Sequence, residues 1–348
     1  MTLIGRRPVR WGFFTASAGA VLLFLVGNGS NLLCAEPKTA TVSQAGELQT
    51  EVRTASEQSS PRTSLRIGTF DIRNFPCNTN CDCLKEFRFE HCKRPDSLPT
   101  DWRRLGHEIR ALRADVLAVN EILNPSRLQR FAEKSLGASW RFVHSRDGGE
   151  HKVGFLYDSS AVELVGQWSF PGLFTEIRAN EHPEECVRGL RHLRPAFACH
   201  FRVRSSRFDF IAVALHLKSG PCASVRQAQW RIMERIVDRL AEKEYDIIIL
   251  GDFNDKKRRE RDFDRFCQTK GFSVATEGVS CTVLGRDEGV VFDHILVSRD
   301  ALKLLVPGSV RVGGACRQGC EPTAFWKAYK NLVSDHCPVV AEFRAPPR

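Results

Sequence analysis

The chain has 348 residues, of which 42% are hydrophobic and 26% are charged. These proportions allow a full hydrophobic core and exclude a chain that is too polar to fold. The formal net charge of +10 indicates a basic surface, which suits a polyanionic partner.

Residues 1–35 have the pattern of an export signal. Arg6, Arg7 and Arg10 form a basic head, residues 11–26 are mainly apolar, and small and polar residues follow. We therefore expect a secreted or periplasmic protein with no stable membrane insertion once the signal is cleaved. An uncleaved anchor is the alternative, although the segment is short and rich in glycine for a membrane span. Loss of the three arginines would lower the net charge from +10 to +7.

Cysteine usage agrees with export. Of thirteen cysteines, removal of Cys34 with the signal leaves twelve, an even number that favours disulfides outside the reducing cytosol. Four cysteines fall close together, and a zinc site is the rival explanation for them: Cys77, Cys81, Cys83 and Cys92. Cys316 and Cys320 form a second close pair, and Cys337, inside an apolar run, is expected to be a buried free thiol. The sequence leaves the connectivity open.

The remaining chain divides into a linker and one long patterned region. Residues 36–64 are rich in Ser, Thr, Glu and Gln without a helical or strand period, which predicts a flexible linker. From residue 65 to residue 345 we expect a catalytic domain, interrupted at about residues 76–99 by a cysteine-rich insertion.

Strands outnumber helices in this region. One helix is predicted from a cap at Asp101 to residue 113, and a longer amphipathic helix over 224–244. Strands are predicted at residues 65–72, 115–119, 152–158, 197–203, 208–216, 246–250, 291–298 and 338–343. Hairpin-like neighbours such as 197–203 and 208–216 favour mixed sheets, so we expect two packed sheets covered by helices.

Six short motifs follow the predicted strands or end them. They are TFDIRNF at 69–75, VNE at 119–121, ALH at 214–216, GDFN at 251–254, FDHI at 292–295 and SDH at 334–336. In this order they resemble the endonuclease/exonuclease/phosphatase superfamily, most closely its deoxyribonuclease-I-like branch. The resemblance implies an α/β (α+β) fold, namely a four-layered α/β/β/α sandwich with two mixed β-sheets packed face to face and helices outside. It also implies hydrolysis of phosphoesters with a divalent metal, usually Mg²⁺, with Mn²⁺ and a structural Ca²⁺ as further possibilities.

Glu121 is the best candidate for a metal ligand, because it directly follows an apolar strand. Mg²⁺ binds through one or two hard carboxylates and keeps several waters. A solvent-exposed charge at a strand end is the structural alternative for this residue. The resemblance places Asp71 and Asp335 beside Glu121 as further metal ligands.

His336 is the expected general base. A neutral imidazole held at the mouth of the sheet can take a proton from water near neutral pH. The resemblance assigns the orienting carboxylate to Asp293.

His216, at the end of the apolar run 211–215, is the expected second acid–base group, aimed at the leaving oxygen or at a phosphate oxygen. The carboxylate that pairs with His216 is open, and Glu150 lies near the expected place in the sequence. Asp252 and Asn254 are expected to position water and phosphate, Asn254 as a neutral hydrogen-bond donor. Together with His336 and Asp293 they form the predicted catalytic set.

Asp71 departs from the family pattern, which carries Asn in the first motif. A carboxylate beside Glu121 adds negative charge, which would tighten metal binding and repel an anionic substrate when metal is absent. Stricter metal dependence, a different preferred metal and reduced activity are all consistent with this change.

The basic residues near the motifs predict the substrate class. Arg73, Lys256 and Lys257 are expected to bind substrate phosphates without reading sequence. The alternative for the run 256–261 is a solvated helix start. The leading hypothesis is an exported, metal-dependent phosphodiesterase that hydrolyses nucleic acid, most of all DNA, with little sequence preference.

Two other classes stay open. A sphingomyelinase-like lipid phosphodiesterase, or a phosphatase on a small phosphorylated molecule, would use the same chemistry, and residues 170–174 are the one short candidate for a membrane hairpin. A non-catalytic binding module on the same fold is the second alternative.

Overall fold

The computed structural model describes most of the patterned region. The described residues are 63–76, 100–187, 189–243, 245–255, 260–284, 289–321 and 323–347. The expected export signal, most of the expected linker, the cluster of four cysteines and the basic pair Lys256 and Lys257 lie outside these residues. Within the part of the chain that is described, no helix is both long enough and apolar enough to cross a membrane.

The described residues form fourteen strands. They are β1 (Ser64–Phe75), β2 (Val116–Ile122), β3 (Trp140–His144), β4 (Lys152–Asp158), β5 (Val162–Phe170), β6 (Ala196–Val203), β7 (Asp209–His216), β8 (Asp246–Asp252), β9 (Ser273–Val274), β10 (Val283–Leu284), β11 (Gly289–Val290), β12 (Asp293–Val297), β13 (Arg311–Val312) and β14 (Val339–Arg344).

Two six-stranded sheets account for most of these strands. The first has the order β13-β14-β1-β2-β4-β3 and the second β5-β6-β7-β8-β12-β9, while β10 and β11 form a small ribbon. Among the described strands each large sheet has one parallel pair, β1 with β2 and β7 with β8, and its other neighbours are antiparallel. Both sheets are therefore mixed.

Helices cover the outer faces. They are α1 (Trp102–Leu112), α2 (Pro125–Phe131), α3 (Gly172–Thr175), α4 (Glu184–Val187), α5 (Ala223–Ala241), α6 (Arg261–Lys270), α7 (Arg299–Leu304) and α8 (Ala324–Leu332). A π-helical turn (Ala132–Leu136) continues α2, and short 3₁₀ turns lie at Ala179–Glu181, Leu190–His192 and Gly314–Gln318.

Three apolar layers hold the sandwich together. Residues from both sheets form the central core, including Phe155, Phe201 and Phe343. A second core lies between the first sheet and helices α1, α2 and α8. A third lies between the second sheet and helices α5 and α6, around the fully buried Trp230. The predicted four-layered α/β/β/α sandwich is confirmed.

Local sequence explains the elements that were predicted. Asp101 caps α1, since its side chain accepts hydrogen bonds from the backbone N–H groups of Arg103 and Arg104. The central strands β2 and β8 are buried along almost their whole length, which their unbroken apolar runs indicate. The edge strands β3 and β5 and helix α8 were not predicted. Both edge strands carry a mixture of exposed and half-buried residues, so their patterns are weak.

Three disulfides join segments that are distant in the sequence. They are Cys186–Cys222, Cys281–Cys320 and Cys316–Cys337. The prediction that Cys337 is a free thiol is therefore wrong: the residue is buried, but the turn at Gly314–Gln318 brings Cys316 against it. Among the described residues Cys199 is a buried free thiol, and Cys267 is buried as well.

Candidate active site

The candidate site lies where the parallel strand pair of each sheet ends. In the first sheet Asp71 is level with Asn120, so that Asp71 and Glu121 reach the same edge. In the second sheet His216 is level with Asp252. Strands β1 and β2 contact β7 and β8 across the sandwich, which brings the two edges together. Since ligands bind at the carboxyl ends of parallel strands, this is the expected place for a site, and a cleft of about 400 Å³ opens there.

Strained backbone is concentrated around this cleft. Four of its lining residues other than glycine have a left-handed φ: Arg73 (38°), Asn74 (53°), Glu121 (56°) and Asn254 (52°). Each such conformation costs on the order of 1–3 kcal/mol and persists only where the surrounding structure imposes it. Gly251 has a φ of 145°, and a Cβ there would lie 1.9 Å from the carbonyl oxygen of Leu215. All of these residues fall in the sequence motifs that predicted the catalytic and metal-binding residues.

His336 and Asp293 form a pair beside the cleft. His336 Nδ1 lies 2.8 Å from Asp293 Oδ2, and Asp293 is fully buried. When Nδ1–H donates to this carboxylate, Nε2 is left to accept a proton. The structure thus brings together the two residues predicted as general base and orienting carboxylate.

Two hydroxyl groups hold this pair. Ser334 Oγ accepts a hydrogen bond from the backbone N–H of His336 at 3.0 Å and donates to the carbonyl of Asp71 at 2.7 Å. Thr282 Oγ1 accepts from the backbone N–H of Asp293 at 3.0 Å. The position of the pair therefore depends on β1 and on the residues that precede β10.

His216 lies between two carboxylates. Its Nδ1 is 3.6 Å from Asp71 Oδ2, and its Nε2 is 3.4 Å from Asp252 Oδ2. The expected place of Glu150 beside His216 is corrected, because Glu150 lies 3.5 Å from His192 instead. The carboxylate of Asp71, where the resemblance to the family predicts Asn, thus faces His216.

Asn254 supports Asp252. Its Nδ2 donates to Asp252 Oδ2 at 2.7 Å and to the carbonyl of Leu217 at 3.2 Å, and its backbone N–H donates to Asp252 Oδ1 at 2.7 Å. These bonds fix the orientation of the Asp252 carboxylate.

The other predicted residues lie at the edge of the site. Arg73 Nε lies 3.5 Å from Asp335 Oδ1, and Arg73 Nη1 donates to the carbonyl of Lys330 at 2.9 Å. Both Arg73 and Asp335 line the cleft. The predicted phosphate-binding residues Lys256 and Lys257 lie outside the described residues.

Burial raises the pKa of three carboxylic acids in the cleft. Burial and the charge of Glu121 raise the pKa of Asp71 well above its ordinary value. Burial raises the pKa of Asp252 to about 7, with a further contribution from Asp293. Burial also raises the pKa of Glu121, although the nearby Arg194 opposes this shift. Carboxylates packed in this way favour either a proton or a cation among them.

The two histidines are shifted in opposite directions. Burial alone would lower the pKa of His336, but Asp293, Asp71 and Asp252 raise it well above its ordinary value. Burial, together with the charge of Arg194, lowers the pKa of His216 well below its ordinary value. Such divergence of two titratable groups in one cleft is typical of acid–base sites.

Arg194 is a site residue that the sequence analysis missed. Its side chain is buried, lines the cleft and donates from Nη2 to His151 Nδ1 at 2.7 Å. Its charge acts on Glu121 and Asp71. The sequence feature that could have indicated Arg194 is its position in the dipeptide Arg194-Pro195, directly before the apolar run that forms β6.

Comparison with known proteins identifies the family. A profile of the Endonuclease/Exonuclease/phosphatase family matches residues 77–336, which is more than half of the chain. The chain belongs to this family. Its members hydrolyse phosphoester bonds.

Among curated proteins, a deoxyribonuclease of Thioalkalivibrio sp. (strain K90mix) is 30% identical over 155 residues. The match covers 41% of this chain and 39% of that relative, so the chain spans about two fifths of the relative's length.

Solved structures share the fold. D. rerio TDP2 complexed with single strand DNA product has a TM-score of 0.55 and 16% identity, covering 82% of this chain and 100% of that chain. A mannosyl-6-phosphatase of Bacteroides thetaiotaomicron has a TM-score of 0.51 and 16% identity, covering 80% of this chain and 98% of that chain. At these identities the likeness shows the fold alone.

The family generally uses divalent metals, and the residues of the cleft fit such an ion. Two groups of three residues could each hold an ion, because the ligand atoms within each group lie within 4.8 Å of one another. The groups are Asp71, Asp252 and His336, and Asp71, Glu121 and His216. Asp71 belongs to both groups, and its buried Oδ2 has no hydrogen-bond partner among the described residues. Hard carboxylate oxygens are what Mg²⁺ or Mn²⁺ would bind. Asp335, the third predicted ligand, belongs to neither group.

Proposed function

We propose that this protein is an exported, metal-dependent nuclease that hydrolyses phosphodiester bonds of DNA with little sequence preference. The observation that carries the proposal is the His336–Asp293 pair, 2.8 Å apart, facing the carboxylate cluster across the same cleft. A base, anion-stabilising groups and a place for a cation are the three requirements of phosphodiester hydrolysis.

His336 acts as the general base. Its Nε2 accepts a proton from water while the water oxygen forms a bond to phosphorus and the phosphorus–oxygen ester bond breaks. Asp293 holds the imidazole by its Nδ1–H and stabilises the charge that His336 acquires. Because Asp71 and Asp252 raise the pKa of His336, the residue serves as a base only once the charge of these carboxylates is compensated.

His216 and Arg194 act on the phosphate. The lowered pKa of His216 favours the neutral imidazole, so its role is to donate a hydrogen bond to a phosphate oxygen or to the leaving oxygen rather than to carry a positive charge. Arg194 remains a cation and faces the developing negative charge. His151 holds the Arg194 guanidinium through the hydrogen bond at Nη2.

Asp71 would hold the metal, which we propose is Mg²⁺, together with Glu121 or with Asp252, each of which shares a ligand group with Asp71. When bound, a divalent cation would neutralise these carboxylates and stabilise charge on the phosphoryl oxygens. Asn254 keeps Asp252 in the orientation that serves this purpose.

Three observations support DNA as the substrate. The relative from Thioalkalivibrio is described as a deoxyribonuclease, and a protein of the same fold holds a single-stranded DNA product. The net charge is +10, and would be +7 after loss of residues 1–35, which suits a polyanion. Binding through Arg73, Lys256 and Lys257 to the backbone would carry no sequence information.

A lipid substrate is less well supported. The candidate membrane hairpin at residues 170–174 contains a fully buried Leu173. Phe170 and Phe174 are half-buried and pack against neighbouring cores. The segment therefore presents no apolar tip that would enter a bilayer.

The test is cleavage of supercoiled plasmid by the oxidised chain in Mg²⁺ or Mn²⁺, with EDTA and His336→Ala as controls. We expect nicking that EDTA abolishes and that His336→Ala reduces by about 10²–10⁴-fold. Circular dichroism of His336→Ala checks that the variant is folded. If a folded, metal-loaded parent leaves both DNA and RNA intact, the nuclease proposal fails, and phosphomonoesters and lipids are assayed next.

A further inference from the structure

A stripe of basic side chains runs along helix α5. Arg231, Arg235 and Arg239 follow one another at four-residue spacing on α5, and Lys243 lies in the turn just beyond the helix end; all four are exposed. An α-helix rises 1.5 Å per residue, so the three arginines lie about 6 Å apart along the axis. Positive charge at such regular intervals fits a chain of phosphates better than it fits a compact anion.

An aromatic groove lies beside this stripe. It has a volume of about 910 Å³ and lies between the edge strand β5 and α5. Trp168 and Phe170 point toward the helix side, where they pack against the outer core, and both are half-buried. Lys243 Nζ lies 4.9 Å from the centroid of the Trp168 ring. A phosphate bound by Lys243 would therefore bring its base close to this ring.

The charges of the groove are not fully compensated. Arg235 forms an ion pair with Glu176. Within the described residues no ion pair joins Arg231 or Arg239 to a carboxylate, and Lys243 contacts the Trp168 ring. Three of the four basic groups are thus available to an anionic partner.

Helix α5 also connects this surface to the active site. Its first residues follow Lys218 and Ser219, which line the catalytic cleft. Arg226, in the first turn, is buried and donates to the carbonyls of Lys218 and Gly220, which fixes the helix start beside the cleft. From there α5 runs for 19 residues, or roughly 28 Å at its standard rise.

We propose that the α5 stripe and the β5 groove form a second binding surface for single-stranded nucleic acid, outside the catalytic cleft. Arg231, Arg239 and Lys243 bind the phosphates, and Trp168 provides a ring on which a base stacks. The inference rests on the proposed nuclease function, and it implies that long single strands bind more tightly than short ones that fill the cleft alone.

The test compares oligonucleotides of two lengths on a stripe variant. In the inactive His336→Ala background, Arg231→Gln/Arg239→Gln/Lys243→Gln is titrated with labelled single strands of about 6 and about 24 nucleotides, chosen to fill one or both surfaces. Fluorescence anisotropy is read at several salt concentrations. We expect the variant to bind the long strand at least about tenfold more weakly, with a salt slope smaller by about 2, because each phosphate contact contributes about 0.7 for single strands. Binding of the short strand should change little.

The matched control removes the same charge elsewhere. Arg103→Gln/Arg130→Gln/Lys134→Gln changes three exposed basic residues on the layer over the other sheet. This control should bind the long strand as the parent does. If both variants weaken binding equally, net charge explains the effect and the second surface is overturned.

Three further outcomes separate the hypotheses. Unchanged affinity of the stripe variant for the long strand, while the active parent still cleaves the short one, overturns the second surface and leaves the nuclease proposal standing. If the stripe variant loses as much affinity for a duplex of the same length as for the long single strand, the single-strand preference is overturned. An active-background parent that cleaves neither length removes the nuclease function on which the inference rests.

Discussion

Asp71 stands where the resemblance to the family predicts Asn. Its Oδ2 is buried, lacks a hydrogen-bond partner among the described residues and lies 3.6 Å from His216 Nδ1. A buried carboxyl group in this position destabilises the metal-free fold when it is ionised and gains most from a bound cation. Asp71 would therefore couple the stability of the protein to the proposed metal.

We predict that Asp71→Asn stabilises the metal-free protein and weakens metal binding. The amide removes a buried charge, so the free energy of unfolding in EDTA at pH 8 should rise by about 1–3 kcal/mol. The half-saturating Mg²⁺ concentration for nicking should rise as well. Denaturant unfolding in EDTA and a metal titration of activity measure the two effects. A variant that binds metal as tightly as the parent would remove Asp71 from the ligand set.

Asp293 has a different role, since it contacts His336 and lies in neither potential ligand group. We predict that Asp293→Asn lowers the turnover rate by about 10²–10⁴-fold, because the imidazole loses the carboxylate that orients it and stabilises its charged form. The metal concentration needed for half-maximal activity should stay within about twofold of the parent value, as expected for a residue that acts only through the base. A large rise in that concentration instead would place Asp293 among the metal ligands.

At the scale of elements, two disulfides brace the segments that carry the His336–Asp293 pair. Cys337 follows His336 directly and is bonded to Cys316. Cys281 precedes Thr282 and is bonded to Cys320, and the backbone N–H of Cys337 donates to the carbonyl of Thr282 at 2.6 Å. The loops between the sheets and the outer helices are thereby tied to one another.

We predict that Cys316→Ala/Cys337→Ala loses roughly 2–4 kcal/mol of unfolding free energy, the typical contribution of a native disulfide. Its turnover rate should fall as well, since His336 adjoins the lost bond. Cys199→Ala, which removes a buried free thiol, is the matched control and should lose less stability. Denaturant unfolding and plasmid nicking provide the readouts. Equal losses for the two variants would show that the disulfide contributes no more than its buried atoms.

At the scale of the whole molecule, the packing of the two sheets brings several carboxylic acids close together, so that the negative charge of one raises the pKa of its neighbours. Asp252 has a pKa of about 7 in the fold against 3.8 in a free chain. The folded state therefore retains a proton between about pH 4 and pH 7 that the unfolded state has lost, so this group lowers stability as the pH rises through that window. His336, with its raised pKa, loses its stabilising contribution as the pH rises further, whereas His216, with its lowered pKa, destabilises the fold below pH 6.5.

We predict that in EDTA Asp252→Asn gains stability relative to the parent as the pH rises from about 5 to about 8. The comparison between variant and parent removes the contributions of all other groups to a first approximation. Thermal unfolding across this range measures the effect. Saturating Mg²⁺ should abolish the difference in slope if the cation compensates the charge of Asp252. A constant difference between the two proteins at all pH values would contradict the shifted titration of Asp252.

Much of the fold and part of the candidate site could be predicted from the sequence. Apolar runs such as 152–158 predicted their strands, Asp101 predicted the start of α1, and the six ordered motifs predicted the sandwich and the meeting of His336 with Asp293. These features are local or follow from strand order: a run of apolar residues determines a strand, and parallel strands carry their carboxyl ends to one edge.

Tertiary structure alone decided the rest. The partner of His216 is set by the packing of one sheet on the other, which brings Asp71 close and leaves Glu150 beside His192. Arg194 lines the cleft together with Gly189 and His192 of the segment ahead of β6, and Cys316 reaches Cys337 across an intervening helix. Such contacts join residues that are far apart in the chain, and their distances depend on how layers pack, which no local pattern of residues encodes.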